Sequence, residues 1–287
     1  MNVRVMTDSG SGLTKAQAEA LGMDYLPLQV TAGDSTYLDG IDLTTDRLYD
    51  MLEAGDMPST SLPPLGIVEE LAEKYEEEGV TDVVLITLSN GLSSTNSTVT
   101  AALKSHDINV HTLDLYTTLG VEWYSAQAAA QLAAAGVAPQ EIVTRIAEAI
   151  EDSKGFLIPE DLDHLAKGGR LTPMAAKLGG LLKIRPILEV SKASEGKVDV
   201  WDKVRTTSKA IKKAAEHIQE SLTPGKDYVF FVLDSRNPEG AALAAKGLEE
   251  NGPVKILEQP LCAVIASHTG MQAVGLQYIP KIEGVEV

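Results

Sequence analysis

Asp82-Val83-Val84-Leu85-Ile86-Thr87-Leu88-Ser89-Asn90-Gly91-Leu92-Ser93-Ser94-Thr95-Asn96 begins as an apolar run and turns abruptly polar. Consecutive aliphatic residues without alternation describe a strand buried on both faces, the place of a central strand in a parallel sheet. The polar stretch behind it falls outside the carboxyl end of that strand, where open parallel sheets hold ligands. Hydroxyls and free N–H groups at a helix N-terminus form a natural anion site. A plain helix cap needs one hydroxyl, whereas Ser89–Asn96 offers six hydroxyl or amide side chains in eight residues.

Working outward, residues 3–6 read as a short strand, closed by the turn Asp8-Ser9-Gly10-Ser11-Gly12. Thr14 caps a helix to Leu21, residues 25–30 form a second strand, and Gly33-Asp34-Ser35 turns into residues 36–38. A helix starts at Thr45, and the proline- and serine-rich loop 57–64 leads into another over 66–78. Strand 110–113 and helices 120–135 and 139–153 follow. Alternation of this kind predicts an N-terminal α/β domain, a doubly wound parallel sheet with helices on both faces. Beyond Ser153 the pattern changes. A strand at 155–158, a helix at 159–167 and the break Gly168-Gly169 precede a hairpin pairing 187–190 with 197–201 around Ser194-Glu195-Gly196. A helix over 207–221, a strand over 228–233 and a helix over 238–250 complete a second α/β domain with a mixed sheet. The expected domains are 1–153 and 154–287, with the ligand held between them.

The 287 residues, 44% hydrophobic and 23% charged, suit two globular cores. A net charge of −17, from 24 basic and 41 acidic side chains, repels phosphate backbones and argues against nucleic acid and against resting on anionic membranes. The single Cys262 excludes an intramolecular disulfide and fits a reducing compartment; its apolar neighbours make it a buried, inert thiol. The first residues run straight into Asp8, leaving no apolar core for a signal peptide, and no stretch approaches a bilayer span. The expectation is a cytoplasmic protein whose membrane contact is transient, without stable anchoring. None of the five histidines has metal-ligand spacing, and neither a phosphate-loop nor a dinucleotide fingerprint occurs, so no metal and no cofactor are expected.

Three further polar loops carry alternatives. Thr7-Asp8-Ser9-Gly10-Ser11 is either an Asx-turn capping a helix or part of a site. Ser59-Thr60-Ser61-Leu62-Pro63-Pro64 is a helix lead-in or a set of hydroxyl donors. Ser267-His268-Thr269-Gly270 follows an apolar run read as a strand, where an imidazole could donate a hydrogen bond to a carboxylate. Lys203 and Arg205 form a solvated strand end or a docking contact. Finally, Gly91-Leu92-Ser93-Ser94-Thr95 approaches a nucleophile elbow, with His268 as base. Thr95 there replaces the closing glycine. The enzymatic alternative is therefore a serine hydrolase or acyltransferase using Ser93 and His268.

In this order the loops resemble the DegV family of bacterial fatty-acid-binding proteins, over essentially the whole chain. The resemblance rests on Thr7-Asp8-Ser9, Asp39-Gly40, Thr60-Ser61-Leu62-Pro63 and Leu92-Ser93-Ser94-Thr95. It extends to Leu165-Ala166-Lys167-Gly168-Gly169-Arg170-Leu171, Lys183-Ile184-Arg185-Pro186-Ile187-Leu188, Lys203-x-Arg205 and His268-Thr269-Gly270. Ser94 stands where the family has glycine, and Met271-Gln272 where it has Pro-Gly. The resemblance implies a protein without chemistry of its own that binds a long-chain fatty acid, its carboxylate held by Thr60, Ser61, Ser93, Ser94, His268 and Thr269. Asp8, Ser9 and Arg170 are placed at the mouth. It further implies a separate ATP-dependent fatty acid kinase subunit, docked at Lys203 and Arg205, which phosphorylates the carboxylate for phospholipid synthesis.

Overall fold

A computed structural model describes residues 2–177, 184–252 and 254–287. Strand β6 (Asp82–Ile86) is buried on both faces. Val83 and Leu85 enter one core, Val84 and Ile86 another. It lies between β1 (Val3–Asp8) and β7 (Asn109–Thr112), and β2 (Asp24–Leu26) completes a parallel sheet ordered β2-β1-β6-β7. Parallel pairing requires crossovers. Here α3 (Leu65–Glu78) and α4 (Thr95–Ser105) cover the Val83–Leu85 face through Val68, Tyr75, Val99 and Leu103. Helices α5 (Gly120–Ala134) and α6 (Pro139–Glu151) cover the other. A short α1 (Lys15–Ala20), opened by a Thr14–Gln17 capping box, leads into β2.

The second sheet runs β10-β9-β8-β13-β11-β12, comprising β8 (Lys154–Ile158), β9 (Arg185–Val190), β10 (Asp199–Val204), β11 (Tyr228–Asp234), β12 (Ile256–Pro260) and β13 (Val274–Pro280). Only β11–β12 is parallel, so the sheet is mixed as expected. Alternation now decides the two faces. Phe156, Ile158, Phe230 and Val232 pack with α9 (Thr207–Ser221) and α10 (Pro238–Leu248). Leu157, Leu188, Phe231 and Leu233 join the core of α5 and α6. Those two helices therefore lie between the sheets, giving five layers of α, β, α, β and α.

Several expectations are corrected. Residues 25–30 are not one strand, because Pro27 has no N–H for a ladder. The chain leaves the parallel sheet after Leu26, and β3 (Gln29–Ala32) joins a small antiparallel sheet with β4 (Ser35–Leu38) and β5 (Ser59–Ser61). The loop 57–64 thus contains a strand. The hairpin pairs Asp199–Val204 with Arg185–Val190, both longer than expected, through a 3₁₀ turn at Lys192–Ser194. Helix α7 is confined to Leu162–Lys167, and α8 (Pro173–Ala176) follows it. The apolar run at 261–266 opens a helix, α11 (Ala263–Thr269), so His268 lies on a helix and not at a strand end. Helix α11 packs against α7, β5 and α2 (Thr45–Glu53). Lys183 lies outside the described residues.

Candidate functional site

A cavity of about 570 Å³ lies where the carboxyl end of the parallel sheet faces the inner side of the mixed sheet, within the usual range for small-molecule sites. Its walls are largely aliphatic, with Leu88 and Leu119 from the first sheet's loops, Leu157, Val190 and Leu233 from the second sheet, and Val264 from α11. Thr60 and Ser61, Ser93 and Ser94, His268 and Thr269, and Arg170 all line it. Strand β5, the lead into α4 and helix α11 therefore bring three distant sequence loops to one polar region. Ser61 and Ser94 are exposed, Thr60, Ser93, Arg170 and His268 half-buried, and Thr269 buried.

Thr60 Oγ1 lies 2.7 Å from His268 Nε2. The other ring nitrogen, Nδ1, is buried without a hydrogen-bond partner. Burial, with the Arg170 and His164 side chains nearby, pushes the imidazole down to about 4, so it is neutral near pH 7 and carries one proton. A buried N–H without an acceptor is the rarer and costlier defect. That places the proton on Nε2, which donates to Thr60 Oγ1. The Thr60 hydroxyl proton then remains for a ligand oxygen. Arg170 donates to the Gly168 carbonyl at 2.8 Å and has no carboxylate partner among the described residues.

Ser93 and His268 are not hydrogen-bonded to each other. Ser93 Oγ sits 2.7 Å from Thr95 Oγ1 and accepts from the Thr95 N–H, while His268 is engaged with Thr60. A nucleophile needs a base within reach, and this arrangement lacks that contact. Ser94 occupies the N-cap of α4 yet makes no side-chain cap bond, leaving its hydroxyl open at the rim.

Asp8 and Ser9 correct the expected mouth. Both are fully buried and neither lines the cavity. Asp8 accepts from Gly10 N at 2.7 Å and Leu88 N at 3.1 Å, and Ser9 Oγ accepts from Leu28 N. Leu28 and Leu88 face the cavity, so Asp8 and Ser9 brace its wall from behind. Glu122, which the sequence analysis missed, stands beside Asp8 with no exposure. Burial raises Glu122 well above the ordinary carboxyl range, and Asp8 to about 6; Glu122 therefore keeps its proton and donates it to Asp8. Asp39 is also buried, is pushed up to about 7, and accepts from Val264 N in the first turn of α11. Lys203 and Arg205 lie exposed at the end of β10, away from the cavity lining. No cluster of metal-ligating side chains occurs among the described residues, and no helix there is long and apolar enough to cross a membrane.

The five-layer α/β fold thus carries one largely aliphatic cavity in which hydroxyls from three distant loops meet His268 and Arg170. The family model named DegV, described as an uncharacterised protein family, matches residues 2–281. The chain belongs to the DegV family. Protein DegV of Bacillus subtilis (strain 168) is 32% identical over 287 residues, covering 96% of this chain and 98% of that one. The crystal structure of DegV from Bacillus subtilis, a fatty acid binding protein, superposes with a TM-score of 0.86 at 31% identity, covering 98% of this chain and 100% of that one. The Fak B3 protein of Streptococcus pneumoniae fatty acid kinase, loaded with linoleic acid, shares the fold at 20% identity. Its TM-score is 0.80, and the match covers 98% of this chain and all of that one.

Proposed function

We propose that this chain binds a long-chain fatty acid in the cavity and presents its carboxylate to a separate ATP-dependent kinase subunit. The carboxylate oxygen would accept phosphate from ATP, and the chain would carry the acyl phosphate onward for phospholipid synthesis in the cytoplasm. Residues 1–153 and 154–287 act as two domains closing on the ligand. The observation that carries this reading is one largely aliphatic cavity whose hydroxyls, with His268 and Arg170, gather in one region. A relative described as a fatty acid binding protein and a shared fold with a fatty acid kinase component support it. Burying about fourteen methylenes at about 0.8 kcal/mol each contributes up to about 11 kcal/mol before losses. The hydroxyls of Thr60, Ser61, Ser93, Ser94 and Thr269 then need only orient the carboxylate. Hydroxyl donors at the carboxylate suit a group that must accept phosphate, because a buried ion pair would hold its charge back, and Arg170 would stand at the mouth.

Mass spectrometry of the purified protein, native and then denatured, tests the ligand. A mass excess lost on denaturation and equal to a free fatty acid is expected; an unliganded protein that takes up no added fatty acid overturns the reading. Lys203 and Arg205 are assigned to kinase docking. Arg205→Glu should abolish phosphorylation by the kinase subunit and leave lipid uptake unchanged, whereas loss of both would make the residue structural.

A further inference from the structure

Gly168 and Gly169 stand together after α7, and each is glycine for a different reason. Gly169 has φ +74°, a conformation that favours glycine, and a side chain there would meet nothing within 4 Å. Gly168 has φ −65° and ψ −19°, which every residue adopts freely. Its backbone therefore gives no reason for glycine. Space does: a Cβ at 168 would lie 2.7 Å from His268 Nδ1 and 3.3 Å from His268 Cγ. The edge of the imidazole rests on the bare α-carbon, and Nδ1 is shut away there without a partner. The neighbouring His164, on α7, donates from Nε2 to the Ser267 carbonyl at 2.9 Å, so α7 is fastened to α11 one residue from His268. Ring and glycine are held together from both sides.

We infer that Gly168 is a positioning residue: it seats the His268 ring, closes Nδ1 and so directs Nε2 onto Thr60. This rests on the fatty-acid-binding reading only where ligand affinity is the readout. The groups facing the ring are Thr60, Arg170 and His164, none of which could replace the seat.

The test compares Gly168→Ala with Gly169→Ala in the full chain, following His268 by nitrogen-15 NMR of the imidazole. The wild type should show the Nε2–H tautomer. Gly168→Ala should displace the ring, shift both nitrogen resonances and raise the imidazole pKa from about 4 towards the ordinary 6.5. Gly169→Ala should leave these signals in place despite its strained backbone. Fatty acid affinity should fall roughly two- to fivefold in Gly168→Ala, the worth of one lost hydrogen bond. In a His268→Ala background both ring atoms that meet the new Cβ are gone, and adding Gly168→Ala should cost nothing further. Unchanged imidazole signals in Gly168→Ala would overturn the proposal, as would an equal affinity penalty in both backgrounds. Should Gly168→Ala fail to fold, folding of the double variant supports the seat, and failure of both refutes it. Shifted signals in Gly168→Ala, together with a wild type that takes up no fatty acid, would uphold the seat while removing the lipid.

Discussion

Asp8 with Glu122, and Thr60 with His268, are two polar pairs on either side of one cavity wall, and they differ in how much bonding capacity they leave open to the cavity. Asp8 spends both oxygens on the Gly10 and Leu88 N–H groups and takes a proton bond from Glu122. Glu122 Oε1 is left without a partner, but it is fully buried and does not line the cavity. Thr60 receives a bond from His268 and keeps a donor in reserve towards the cavity. Burial and perturbed titration mark both pairs, yet only unused capacity turned towards the cavity separates a binding group from a brace.

The comparison breaks most readily at Asp8. Asp8→Ala strands two buried N–H groups and leaves Glu122 without its acceptor, which should cost about 3 kcal/mol of folding stability. Urea unfolding should report that loss, while fatty acid affinity per folded molecule stays within a factor of two (roughly 0.4 kcal/mol) of the wild type. A variant of unchanged stability but weakened binding would place Asp8 with the ligand and erase the distinction.

How much of this could be read from sequence follows the same physics. Val83–Ile86 was legible as a buried parallel strand because burial on both faces removes alternation. Thr60, Ser93 and His268 were legible as polar loops, but the Thr60–His268 bond spans 208 residues of chain and needed the topology. Helix α11 was misread because a seven-residue helix, mostly buried, offers no polar face and hence no period. The split at Pro27 was signalled by the proline itself. Glu122 was missed although a lone acid in an otherwise uncharged, alanine-rich helix is conspicuous. Strand β13 was missed because Gly275 and Gln277 interrupt its apolar run; both line the cavity, so the interruption is part of the site.

Asp39 joins the two regions, since its carboxylate holds the first turn of the helix that carries His268. Burial raises its pKa from 3.8 to about 7 in the folded protein. Between those values the folded state binds the extra proton, so this contribution to stability falls as pH rises and levels off above about 7. The step between pH 6 and 7 should cost about 1 kcal/mol. His268, held down at about 4, acts oppositely, losing its contribution as pH falls from 6.5. It cancels when the wild type is compared with Asp39→Asn. The variant should lose the Asp39 slope, so that the stability difference between the two proteins changes by about 1 kcal/mol over that step. Parallel stability curves would show that Asp39 titrates alike folded and unfolded.

The smallest effect is the most discriminating. Thr60→Val keeps the branched shape in β5 and removes only the hydroxyl. Affinity should fall two- to fivefold, about 0.5–1 kcal/mol, and stability by about 1 kcal/mol, because the His268 Nε2–H loses its acceptor. Each methylene of a saturated acid contributes about 0.8 kcal/mol on burial. Across a homologous series the Thr60→Val line should therefore run parallel to the wild type, displaced by one constant. A gap that widens with chain length would mean that Thr60 touches the acyl chain rather than the carboxylate. The polar region would then be a lateral contact along the cavity, and the brace at Asp8 would be the part of the comparison left standing.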